Sequence, residues 1–114
     1  MQLPKDAVLL RIFVGADDKA YGRPLYEALV MKARERCLAG ATVLRGPMGY
    51  GRSSHLHTTK ILRLSQDLPV VIEIVDQEDK VRDFIDTVEP MLGSSLVTLE
   101  RVQVLRYGDT GRRD

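Results

Sequence analysis

A chain of 114 residues with 44% hydrophobic and 29% charged side chains has the composition of one soluble globular domain. Its formal charge of +1 leaves no global field to recruit nucleic acid or an anionic membrane, so any attraction for anions has to be local. No apolar run approaches the roughly 18–20 residues needed to span a bilayer, and the single cysteine, Cys37, excludes an intramolecular disulfide and a multi-cysteine metal site. The first six residues lack the basic, apolar and small succession of a secretory signal, so the expected location is cytoplasmic, with no direct membrane insertion.

From Ala7 to Val14 the apolar pattern has a period of two. Val8, Leu10, Ile12 and Val14 take one face, while Leu9, Arg11 and Phe13 take the other, which predicts a strand inside a sheet or against a partner. Gly15 to Lys19 reads as a turn, with Asp17 and Asp18 as turn and cap residues. Pro24 suits the first position of a helix. Leu25, Leu29, Ala33 and Cys37, spaced by four and widened by Tyr26 and Val30, predict an amphipathic helix of about four turns ended by Gly40 as a left-handed cap. On that stripe Cys37 is a packing residue rather than a reactive thiol. Ala41 to Arg45 is a short second strand.

A long polar connection follows, from 46 to 69. Compact domains rarely keep a loop of that length without a use for it. Arg45, Arg52, Lys60 and Arg63 all precede its first acidic residue, Asp67, and Gly46, Gly49 and Gly51 would let a ligand approach the main chain. Arg52, with Arg45 second, is the expected phosphate contact, because a guanidinium binds phosphate in bidentate fashion. The glycines have a plainer reading too, as points where the chain bends out of the sheet.

Val70 to Val75 is β-branched and reads as a central strand. Glu73 within it is expected to pair with Arg11 or Arg101. Asp76 is expected to cap the next helix, with Asp79 completing a capping box. Val81, Phe84, Ile85, Val88 and Leu92 form that helix's buried stripe, and Pro90 tightens or frays its last turn. Gly93 to Ser95 turns the chain into a last strand from Leu96 to Tyr107, where the alternation slips at Arg101 and suggests a bulge. One domain over 1–107 and a mobile tail over 108–114 complete the layout.

The order β-α-β-β-α-β predicts an α+β, ferredoxin-like fold with four antiparallel strands and two helices on one face. Leu9, Phe13 and Val71 then place apolar groups on the uncovered face, which predicts an oligomer.

The segments Pro24-Leu-Tyr-Glu27, Gly40-Ala-Thr-Val43, Gly49-Tyr-Gly51, His57-Thr-Thr-Lys-Ile61 and Leu68-Pro-Val-Val-Ile-Glu73 occur in this order along nearly the whole chain. In them the chain resembles the bacterial and archaeal family catalogued as domain of unknown function 190. At greater distance it is similar to the PII signalling proteins, with Gly49-Tyr-Gly-Arg52 standing where those proteins carry Gly-Phe-Gly-Arg ahead of their T-loop. That resemblance implies a homotrimer with sheets facing inward and an adenine nucleotide between subunits. The nucleotide would be held by the T-loop base (Arg45, Gly46, Gly49, Tyr50, Gly51 and Arg52) and by basic residues near the C-terminus. A mobile T-loop would reach a partner such as a membrane transporter or channel. The sequence departs from PII in its second clamp: Leu92-Gly-Ser-Ser-Leu96 holds no lysine, which leaves Arg101 and Arg106 as substitutes. No tyrosine stands at the loop's tip like the one that some PII proteins have uridylylated.

Other chemistries fit less well. His55 and His57 are two ligands short of a closed zinc site, so neither a metal nor another cofactor is expected. No Walker loop, dinucleotide fingerprint or catalytic triad motif is present. The acidic turn Gly15-Ala-Asp-Asp18 would repel an acyl phosphate, which sets aside the hydrolases that share this fold. The expectation is therefore a non-enzymatic regulator. Its alternatives are a constitutive protein-interaction module with no small-molecule ligand and single-stranded RNA binding on the open sheet, the latter disfavoured by the meagre charge.

Overall fold

The computed structural model describes residues 6–50, 56–58 and 68–108. Its elements in chain order are β1 (Asp6–Gly15), β2 (Lys19–Ala20), β3 (Arg23–Pro24), α1 (Leu25–Glu35), β4 (Thr42–Arg45), β5 (Met48–Tyr50), β6 (Leu56–Thr58), β7 (Pro69–Asp76), α2 (Glu78–Leu92) and β8 (Leu96–Gln103). The main sheet has the order β4-β7-β1-β8 with every pairing antiparallel. Both helices pack on one face, which is the ferredoxin-like arrangement.

The alternation of β1 sets the layers. Val8, Leu10, Ile12 and Val14 are buried with Val70, Ile72 and Ile74 of β7, and they meet Leu25, Leu29 and Ala33 of α1 and Val81, Phe84, Val88 and Leu92 of α2. On the opposite face, register lines up Leu44, Val71, Phe13 and Leu96 in one row across all four strands. Leu44, Phe13 and Leu96 remain exposed there. Charges at the centre of the open face stand in pairs: Arg11 donates through Nε to Glu73 and through Nη1 to Glu100, each at 2.9 Å. Hydrogen bonding to Glu73, ahead of the Coulomb attraction of both carboxylates, holds the Arg11 guanidinium above its ordinary pKa.

Five local expectations are corrected. First, α1 stops at Glu35, and Cys37 is an exposed residue at φ 61, not part of the buried stripe. Leu38 N–H donates to Ala33 and Cys37 N–H to Arg34, both at 3.0 Å, so the chain closes a Schellman motif three residues earlier than Gly40 would have done. A non-glycine residue in that left-handed position costs about 1–2 kcal/mol. Cys37→Gly is therefore expected to raise the unfolding free energy by about 1 kcal/mol, measured as a higher urea midpoint at unchanged slope.

Second, Asp76 is not a helix cap. Gln77 occupies the N-cap without a side-chain bond, while Asp76 is fully buried and its carboxylate accepts the N–H groups of Gln77 and Ala39. Third, β8 ends at Gln103, short of Tyr107, whose hydroxyl is engaged at Ala39. Fourth, the register of β8 is continuous through Arg101, so there is no bulge. The break in alternation arises because Arg101 stands at the rim of the helical face and reaches Glu78 at 3.3 Å. Fifth, part of the expected loop is regular: Met48, Gly49 and Tyr50 pair with Thr58, His57 and Leu56 as a two-stranded ribbon. A further small hairpin, β2–β3, turns at Tyr21 (φ 51) and Gly22 (φ 80), a pairing of positive angles that matches the right-handed twist of its strands.

Candidate functional site

The root of the ribbon is built around Pro69. Gly46 N–H donates to the Pro69 carbonyl at 2.8 Å, extending the β4–β7 ladder one step past Arg45. A Cβ on Gly46 would lie 2.9 Å from Pro69 Cγ, and one on Gly49 would lie 3.1 Å from the same atom. Neither glycine has a positive φ. Their immediate physical reason is close approach to the Pro69 ring, a role that spacing along the sequence does not reveal.

Arg45, at the end of β4, is already engaged. Its Nη2 donates to the Tyr26 hydroxyl at 2.8 Å and its guanidinium carbon lies 5.0 Å from the Tyr26 ring centroid. The contact is exposed and is the one hydrogen bond that Arg45 donates among the described residues, so N–H groups of the guanidinium are left over there. Tyr26, expected only as a packing residue, is thus what orients Arg45. Tyr50 closes β5 with 71% of its surface exposed. Gly51, Arg52 and His55 lie outside the described residues, as do Lys60 and Arg63.

The C-terminal members of the expected set sit elsewhere. Arg101 faces Glu78 at the start of α2. The Glu78 carboxyl is held below its ordinary range, first by the Arg82 hydrogen bond and then by the charges of Arg101 and Arg82. Arg106 is exposed beyond the end of β8, next to Tyr107, whose hydroxyl donates to the Ala39 carbonyl at 2.7 Å. The turn Gly93–Ser95 is closed internally, with Ser95 N–H and Oγ both donating to the Leu92 carbonyl at 3.0 and 2.6 Å.

Register fixes how far apart these groups are. Arg45 lies opposite Val70, which lies opposite Val14, whereas Arg101 lies opposite Val8. β4 and β8 are the two edges of the sheet. Three strand spacings of about 4.8 Å and six residues of about 3.4 Å put Arg45 and Arg101 about 14 Å apart across the strands and about 20 Å along them. Within one chain, then, Arg45, Gly46, Gly49 and Tyr50 share one corner, and Arg101 stands at the diagonally opposite one. Among the described residues there is no cluster of three or more potential metal ligands, and no helix is long and apolar enough to cross a membrane.

Comparison with known sequences and structures bears on this geometry. The profile of the family DUF190, described as "Uncharacterized ACR", matches residues 7–104. A UPF0166 protein of Aquifex aeolicus is 41% identical over 97 residues, covering 85% of this chain and 91% of that protein. The chain belongs to the DUF190 family. Among solved structures, this DUF190 chain is similar to CPII of Thiomonas intermedia K12, a nitrogen regulatory PII-like protein solved with ADP, AMP and bicarbonate. That likeness has a TM-score of 0.68 at 18% identity and covers 89% of this chain and 90% of the other. A PII-like signalling protein of Thermus thermophilus gives a TM-score of 0.64 at 16% identity, with 93% and 95% covered. At these identities the likeness concerns the fold, which is that of the PII-like proteins, as the sequence resemblance implied.

Proposed function

We propose that this DUF190 chain is a non-catalytic, cytoplasmic regulator that binds a small anionic ligand of the adenine-nucleotide class in a cleft between copies of itself. The observation that carries the reading is the separation of its basic groups. Arg45 and the glycines at one corner, and Arg101 at the opposite one, are too far apart to clamp one ligand from a single chain. In an assembly with the open faces turned inward, the β4 edge of one copy could meet the β8 edge of the next, which would bring opposite corners together. That face offers the row Leu44, Val71, Phe13 and Leu96 for burial, around the satisfied Arg11–Glu73–Glu100 centre. The PII resemblance favours a trimer, and the nucleotides bound to CPII support the ligand class. The ribbon, with exposed Met48 and Tyr50, would present a surface to a partner protein, of which a membrane transporter or channel is the proposed kind.

A second reading has one observation in its favour. Tyr26 orients Arg45 and the Pro69 ring accounts for both glycines, so each has a reason within the fold that needs no ligand, as in a constitutive interaction module. Calorimetry against ADP, AMP and ATP, with light scattering on the same sample, separates the two. The regulator reading expects a mass of several chains and a heat of binding in the micromolar to millimolar range, weakened by Arg45→Ala. A monomeric mass, or no heat with any of the three at millimolar concentration, would sink it.

A further inference from the structure

The segment after β8 is anchored to the far side of the sheet. β8 and β4 are opposite edges, yet Tyr107 Oη donates to Ala39 O, three residues before β4 begins. Residues 104–107 must therefore run across the width of the sheet. Leu105 takes no part in holding them, being 87% exposed; the Tyr107 hydroxyl supplies the visible anchor.

The connection it reaches is fastened by polar contacts from three directions. Ala39 N–H donates to Asp76 Oδ2 at 2.8 Å, Lys80 Nζ donates to Cys37 O at 3.0 Å, and Tyr107 closes the third side. Apolar packing there is incomplete: a crevice of about 310 Å³ lies between Val30, Ala33 and Arg34 of α1 and residues 38–41. Where packing leaves room, the polar ties decide how firmly a segment is held. This segment is the root of an edge strand, β4, which has a neighbour on one side only and ends at Arg45, just before Gly46.

We infer that residues 104–107 form a strap fastening the root of β4, so that docking or release of the C-terminal segment sets how firmly Arg45 and the base of the glycine-rich loop are presented. Its regulatory meaning rests on the anion-binding reading above, and it deepens that reading by giving Arg106 a role. Arg106 pairs with no carboxylate among the described residues and precedes the anchor by one position. An anion engaging it therefore acts directly on the strap.

Hydrogen exchange on the full-length, ligand-free chain tests the strap by itself. Tyr107→Phe deletes the anchoring hydroxyl and Tyr107→Ala deletes the ring as well. Loss of one hydrogen bond is expected to speed exchange of the amides of residues 39–46 about fivefold, with the alanine variant at least as fast, while β1 and α2 keep their rates. Unchanged rates over 39–46 in both variants would overturn the inference. So would an acceleration spread evenly through β1 and α2, since that would report global destabilisation. No nucleotide is present, so failure of the calorimetry leaves this result intact, and failure here leaves the calorimetry intact.

Discussion

Asp76→Ala is expected to lower the unfolding free energy by about 3 kcal/mol, read as a lower urea midpoint at constant slope. Asp76 is the one charged residue among the described residues that is fully buried, and each of its oxygens has a donor. Oδ1 accepts the Gln77 N–H at 2.7 Å and Oδ2 accepts the Ala39 N–H at 2.8 Å, with Lys80 Nζ at 3.8 Å from Oδ2. Truncation strands both backbone N–H groups, at about 1–3 kcal/mol for each one left buried without an acceptor. It also removes a negative charge from beside the N-terminus of α2, where the helix dipole favours one. Asp76→Asn keeps the shape but turns one acceptor into a donor facing an N–H, so it is expected to cost about half as much. Equal stability for wild type and Asp76→Ala would mean that Asp76 is not the tie between α1, β4 and α2. The root of β4 would then be without one of its polar fastenings.

The parts of this fold that a reader of the sequence finds are those governed by period and composition. The alternation of Val8, Leu10, Ile12 and Val14 against Leu9, Arg11 and Phe13 survives intact because a strand cannot slip by one residue without exposing its core face. That Glu73 pairs with a cation was legible down to two partners, Arg11 or Arg101; the register puts Arg11 opposite it and leaves Arg101 to Glu78. What was not legible depends on which group wins a competition in three dimensions. Asp76 had the sequence of an N-cap, but the helix starts one residue later and its carboxylate is shared between the Gln77 N–H and the Ala39 N–H of a distant connection. Gly40 had the sequence of a C-cap, yet the helix closes at Cys37, and Leu38, just beyond that closure, packs against the core. The candidate site was half legible. Arg45, Gly46, Gly49 and Tyr50 do share a corner, but nothing along the chain places Arg101 diagonally across the sheet from them. Nor does any local signal single out Pro69, Tyr26 or Tyr107 as the groups that orient the glycines, Arg45 and the C-terminal strap.

Gly46→Ala is expected to destabilise the fold by about 2 kcal/mol and Gly49→Ala by about half of that, because the new methyl groups meet the Pro69 ring at 2.9 and 3.1 Å. The backbone angles are open to alanine at both sites, so the whole effect should come from that contact, less the few tenths that alanine recovers from the unfolded chain. This makes the origin of the effect separable. Pro69→Ala removes Cγ while keeping the carbonyl that accepts Gly46 N–H, so Gly46→Ala in that background is expected to be close to neutral. The cycle should return a coupling of about 1–2 kcal/mol. Run against nucleotide affinity as well as urea, the same four proteins distinguish the two reasons for a glycine at the root of the loop. If Gly46 is glycine only to clear Pro69, affinity lost in Gly46→Ala returns in the double variant along with stability. If the ligand itself comes close to the Gly46 backbone, stability returns and affinity does not, because the methyl group still stands in the ligand's path.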